Sequence, residues 1–171
     1  MKIVKTNIKD LVLLKTNVFK DNRGFFKEVE KNKILNKKFI FDCFSFSKKN
    51  TLRGLHLQTN KSQAKIVTVV QGKILDVVVD LRKKSKTFGK YFSIAISQNS
   101  NFSIYIPEYF AHGFLCLTKN CGVYYKCTNY RDKNSETTIK WNDENIGIKW
   151  PIKNPILSKK DRLGINFKDF K

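Results

Sequence analysis

Two histidines, His56 and His112, are all the chain offers for imidazole chemistry. Each stands in glycine-marked strand-like sequence: Leu52-Arg53-Gly54-Leu55-His56-Leu57-Gln58 and Ile106-Pro107-Glu108-Tyr109-Phe110-Ala111-His112-Gly113-Phe114. A metal site built on three histidines and a carboxylate is beyond one such chain, so metal-dependent chemistry is not expected. The cysteines Cys43, Cys116, Cys121 and Cys127 form no C-x-x-C pair; three of them sit among Leu, Val and Tyr in strand-like sequence, and buried free thiols are expected. A neutral imidazole remains as a candidate base near neutral pH. A lone histidine in apolar sequence is as readily a satisfied core residue. Arg53, Gln58 and Lys65 close by weigh toward function. Arg53 and His56 are expected to project into a lumen while Leu52, Leu55 and Leu57 pack outside.

The surrounding elements are strands. Lys65–Gln71 alternates Ile66, Thr68 and Val70 against Val67 and Val69. Lys73–Leu81 sets Leu75, Val77, Val79 and Leu81 on one face. Tyr91–Ser97, Phe102–Ile106 and Val123–Thr128 continue the pattern, with turn signals at Gln71-Gly72-Lys73, Lys86–Gly89, Gln98–Asn101 and Pro107-Glu108. A short helix is predicted over Asn32–Lys37. Many short strands with little helical pattern predict an all-β sandwich or jelly-roll barrel, read as one domain over residues 1–171. A small C-terminal extension after about Trp141 must fold back, because Trp141, Ile146, Ile148 and Trp150 would otherwise face water.

The 34 Lys and Arg residues against 14 Asp and Glu give a net charge of +20, which favours anionic and phosphate-bearing ligands. The lysines are scattered in ones and twos, and no nucleic-acid-binding motif accompanies them, so no nucleic-acid partner is expected. The first twenty residues lack a signal-peptide apolar core, and no apolar run could span a bilayer. A cytoplasmic protein without membrane contact is predicted.

Eight stretches, in order, carry a resemblance over nearly the whole chain. They are Asp21–Glu28, Leu52–Gln58, Gln63–Val67, Val77–Gly89, Ile106–Phe114, Tyr124–Tyr130, Ser135–Asp143, and Ile148–Pro151 with Leu157–Asp161. The chain resembles the dTDP-4-dehydrorhamnose 3,5-epimerase family. The resemblance implies a cupin jelly-roll homodimer with exchanged N-terminal strands and no cofactor. It also implies a metal-independent isomerase of a nucleotide-diphosphate 4-keto-6-deoxy sugar, of the kind used for capsule or lipopolysaccharide. His56 matches the family's general base, Asp161 its carboxylate partner, Tyr125 the general acid and Lys65 the lysine near the ketone. Arg23, Glu28, Arg53, His112, Glu136 and Lys160 match substrate-binding positions, and Phe26 and Gln58 fall within the same motifs. These residue types suit the chemistry. An α proton is acidic only because the resulting enolate spreads onto oxygen, which a nearby cation stabilises. A histidine oriented by a carboxylate can take that proton, and inversion needs an acid on the opposite face.

Three positions depart from the family pattern. Phe41 and Cys43 replace a Gln and an Asn that contact the nucleotide sugar. Arg131 stands where a tyrosine stacks on thymine, with Tyr130 just before it. The segment between His56 and Lys65 is one residue shorter. These changes predict a different substrate, with a GDP-linked 4-keto hexose or heptose first, Arg131 facing the base, and the dTDP-rhamnose precursor as the alternative. A non-catalytic sugar-binding cupin is the reading from another class, and retention of His56, Asp161 and Tyr125 weighs against it.

Overall fold

The computed structural model describes residues 1–170. Its strands are β1 (Lys2–Lys5), β2 (Val12–Lys15), β3 (Val18–Asp21), β4 (Gly24–Lys27), β5 (Phe41–Lys48), β6 (Leu52–Gln58), β7 (Lys65–Gln71), β8 (Lys73–Asp80), β9 (Tyr91–Ser97), β10 (Phe102–Ile106), β11 (Phe110–Cys116), β12 (Asn120–Cys127) and β13 (Glu136–Thr138). They form one sheet in the order β1-β2-β10-β7-β12-β5, a second in the order β13-β6-β11-β8-β9, and a separate β3–β4 hairpin. The expected jelly roll is therefore two facing sheets, hydrogen-bonded within themselves, and not one continuous ring.

The core between the sheets comes from alternate positions of both. Val67, Val69, Ile104 and Val123 of the first sheet meet Ile74, Val78, Ile96, Phe110 and Phe114 of the second. The other face of the second sheet is also dry. Leu55, Leu57, Val77, Val79 and Ala111 lie under Ile146, Ile148, Trp150, Phe167 and Phe170 of the C-terminal extension. The fold-back predicted from exposed tryptophans is thus observed, and the Trp150 indole donates to the Trp141 carbonyl at 2.7 Å. The helix expected over Asn32–Lys37 is one turn, α1 (Asn32–Leu35), because Asn36 takes the left-handed conformation that ends it.

β6 departs from simple alternation. His56 lies opposite His112, but Arg53 lies opposite Phe114, so three steps on β6 match two on β11. This bulge brings Arg53 and His56, three residues apart, to the same cavity. Gly54 makes it possible. Its φ is +117°, and a Cβ there would sit 2.6 Å from both the His112 carbonyl oxygen and the Gly113 Cα. Only glycine fits so close a backbone approach.

Asp80, at the end of β8, organises the turn that follows. It accepts from Arg82 Nε at 2.9 Å, Ser85 Oγ at 2.6 Å and Thr87 Oγ1 at 2.6 Å. Burial alone would raise this carboxyl, but those hydrogen bonds overcome burial and hold it at about 2. A folded-state value below the unfolded one stabilises the protein above the ordinary carboxylate range, and that stabilisation is lost as pH falls toward 2. Asp80→Asn is expected to cost about 2 kcal/mol in urea denaturation at pH 7. The gap from wild type should shrink as the pH is lowered below about 4. A constant gap would show that the charge is not what stabilises the turn.

Candidate active site

A cavity of about 490 Å³ opens between β6 and β11 on one side and β5, β7 and β12 on the other. His56, at the bulged β6, enters from one wall. It pairs through Nε2 with Asp161 Oδ1 at 2.6 Å. Asp161 belongs to α2 (Lys159–Arg162), and its carboxylate is buried. Ser158 donates to Asp161 Oδ2 at 2.6 Å and accepts the Asp161 backbone N–H, while the Gly54 N–H reaches Oδ1 at 3.2 Å. Burial pushes the Asp161 carboxyl up, but the hydrogen bonds from His56, Ser158 and Gly54 prevail and lower it. A carboxylate so held accepts the Nε2–H of His56. The lone pair is then on Nδ1, in a side chain that is 35% exposed at the cavity.

Tyr125 enters from the opposite wall. It lies on β12, level with Val67 of β7 and Cys43 of β5, and its hydroxyl is 3.2 Å from Ser45 Oγ. Burial holds its phenol well above the usual range, so it stays protonated. Lys65, at the start of β7, stands opposite Cys127 of β12, and burial pushes its ammonium down. The rim carries Arg53, Arg131, Glu136 and Lys160. Arg53 is braced by Ser47 Oγ at 2.9 Å and the Phe46 carbonyl at 3.1 Å.

Of the residues expected at the site, His56, Lys65, Arg53, His112, Tyr125, Arg131, Glu136, Lys160 and Asp161 line this cavity together. Gln58 does not. Its side chain donates to the Lys61 carbonyl at 3.0 Å and accepts the Asp132 N–H at 3.1 Å, which fixes the two loops at the rim. Arg23, Phe26 and Glu28 are also elsewhere. They belong to the β3–β4 hairpin and its exit, where Arg23 is bound to Asp21, Phe26 is exposed beside Phe19, and Glu28 pairs with Lys31. Arg131, expected to face the base, lines the cavity beside Glu136. Glu136 takes it in a two-point pair at 2.5 and 3.0 Å and also binds Lys160, and the Arg131 bond chiefly holds the Glu136 carboxyl at about 2. Phe41, on the cavity wall, packs against the exposed Tyr130, ring centroids 5.9 Å apart.

Two features escaped the sequence reading. Asp76 is fully buried on β8 and binds His112 Nε2 at 2.8 Å, so each histidine has its own carboxylate. A lone acid in the apolar run Ile74–Val79 is the signal that could have found it. Ser158 is the second, and Ser158-Lys159-Lys160-Asp161 has the spacing of a helix-capping box. Cys43, expected at the nucleotide-sugar pocket, is exposed on the cavity wall, while Cys116, Cys121 and Cys127 are buried as expected.

Residues 5–169 match the family model described as dTDP-4-dehydrorhamnose 3,5-epimerase. The chain is 44% identical over 170 residues to the enzyme of that name from Neisseria gonorrhoeae, covering 96% of this chain and 52% of that protein. It is 41% identical to that of Shigella flexneri, covering 99% and 97%. A solved dTDP-6-deoxy-D-glucose-3,5-epimerase from Legionella pneumophila, in complex with dTDP-4-keto-L-rhamnose, superposes with a TM-score of 0.94 at 35% identity, covering 99% of this chain and 94% of its own. Fold and relatives together define a cupin-type carbohydrate isomerase. The chain belongs to the dTDP-4-dehydrorhamnose 3,5-epimerase family.

Proposed function

We propose that the protein epimerises a dTDP-linked 4-keto-6-deoxy sugar at C3 and C5. The observation that carries this reading is the placing of His56 and Tyr125 on facing sheets of one cavity, with Lys65 on the strand next to that of Tyr125. His56 Nδ1 takes the proton α to the ketone, and Asp161 stabilises the imidazolium. The electron pair of that C–H bond moves into the enolate, whose oxygen faces the Lys65 ammonium. Tyr125 O–H then returns a proton to the opposite face of the same carbon, which inverts it. Arg53 and Lys160 hold the pyrophosphate as charged donors.

The pairing of Arg131 with Glu136 favours a thymine base over a guanine. The guanidinium is engaged in its two-point pair, and the Phe41–Tyr130 surface offers stacking in its place. Relatives 41–44% identical are named for the dTDP-linked substrate, which supports the same choice. Turnover of dTDP-4-keto-6-deoxyglucose is expected to exceed that of its GDP counterpart by at least about tenfold in kcat/KM, the worth of one pocket contact. The check is deuterium incorporation at C3 and C5 by NMR. A GDP preference would return Phe41, Cys43 and Arg131 to the role of a guanine-reading set.

The working unit we propose is a homodimer. Phe44 and Phe46 on edge strand β5, Val70 on β7, and Phe19, Phe25 and Phe26 on the hairpin all expose large apolar surface. An edge strand and an apolar hairpin left open invite pairing with a second copy. Such exchange would carry Arg23, Phe26 and Glu28 into the partner's cavity. Light scattering at micromolar concentration should give about twice the 20.0 kDa chain mass. A fully active monomer would overturn the proposal.

A further inference from the structure

Cys43 and Cys127 stand on neighbouring strands β5 and β12, where Tyr125 is level with Cys43 and Cys127 with Phe41. The two cysteines are thus diagonal neighbours, two positions apart, and both side chains line the cavity. Cys43 is exposed to solvent and Cys127 is buried behind it. Lys65 lies level with Cys127 on the other side, and Arg131 stands at the same rim. We propose that this pair is an oxidisable thiol site inside the cavity, with Cys43 the nucleophile and Cys127 the resolving thiol.

The surroundings supply what a redox-responsive cysteine requires: access, a stabilised thiolate and a second thiol in reach. The neighbouring Cys127 thiol lowers the Cys43 thiol most; burial opposes and Lys65 helps, leaving Cys43 below the usual thiol range. The other two cysteines form an internal contrast. Cys116 and Cys121 are fully buried in the core, and burial holds Cys121 up at about 12. Within the chain β5 is paired only to β12, so the two thiols sit on directly hydrogen-bonded strands with no third strand between them.

The oxidant is a hydroperoxide. The Cys43 thiolate attacks hydrogen peroxide; an S–O bond forms, the O–O bond breaks, and hydroxide leaves and is protonated to water. Sulfur is oxidised to the sulfenic acid and peroxide is reduced. The Cys127 sulfur then attacks the Cys43 sulfur; S–S forms, S–O breaks, and the departing hydroxide takes the Cys127 proton as a second water. Two thiols and one peroxide give a disulfide and two waters. A thiol reductant reverses it. The disulfide would tie β5 to β12 in the wall that carries Tyr125, and so alter the lining of the cavity.

The test is graded hydrogen peroxide on the full chain, read by intact mass and non-reducing peptide mapping. The expected product has lost two hydrogens, carries a Cys43–Cys127 crosslink, and is restored by dithiothreitol. Cys127→Ala should stop at a Cys43 sulfenic acid that dimedone traps. Cys43→Ala should stay unoxidised at peroxide levels that convert the parent. Oxidation of Cys116 and Cys121 first, or of Cys43→Ala at the parent rate, overturns the proposal. So does an unmodified parent at doses that oxidise glutathione. Turnover is read in parallel because the regulatory sense rests on the cavity being the substrate site. Loss of turnover with the crosslink supports both. A crosslink without loss of turnover leaves the thiol pair standing and counts against that reading of the cavity.

Discussion

Replacing His56 with asparagine is expected to slow exchange of the substrate's α protons with solvent by at least about a hundredfold, the low end of what a positioned base supplies. Asparagine keeps a polar group beside Asp161 but offers no nitrogen lone pair of basic character. Asp161 retains the Ser158 and Gly54 donors, so the buried carboxylate is not stranded and the fold should hold. Loss of exchange should therefore come without loss of the thermal transition. The measurement is deuterium wash-in at C3 and C5 by NMR. Wash-in near the wild-type rate would move the base to a bound water or to Tyr125.

The second large effect divides the reaction. Tyr125→Phe removes the hydroxyl and leaves His56 and Asp161 untouched across the cavity. An enolate should still form and be reprotonated by His56 from the side the proton left. Wash-in should then persist within about tenfold, while the inverted product falls by at least about a hundredfold. Loss of the Ser45 contact costs little, since Ser45 lies beside open cavity. Equal losses in both readouts would mean that Tyr125 acts before the enolate forms, through binding or through the ketone oxygen.

Where both faces of a strand are dry, alternation is plain in the sequence. Ile74 and Val78 face the inner core while Val77 and Val79 face the C-terminal layer, and that regularity made the second sheet legible. β1 and the β3–β4 hairpin are short and mostly exposed, so they carry no apolar period to read. β6 misleads any strict alternation, because its bulge depends on a backbone contact between Gly54 and Gly113 far along the chain. At the site, His56, Lys65, Tyr125 and Asp161 were found through motifs, not through periodicity. Side-chain pairings were opaque. Nothing in the spacing says that Arg131 turns to Glu136, that Gln58 ties loops, or that Asp76 sits under His112.

The two walls of the cavity differ in how freely they can be rebuilt. At the His56 bulge, Gly54 and Gly113 meet backbone to backbone, and a Cβ on Gly113 would stand 2.7 Å from the Arg53 carbonyl oxygen. No side chain exists there to enlarge or trim, so that wall resists substitution and keeps the base in place. The opposite wall includes β5, where Phe41, Cys43 and Ser45 line the cavity and can be exchanged without touching the Gly54–Gly113 contact that seats the base. Drift in ligand preference is thereby channelled into one strand, and a lineage can trade one nucleotide sugar for another while its proton chemistry stays anchored in the other wall.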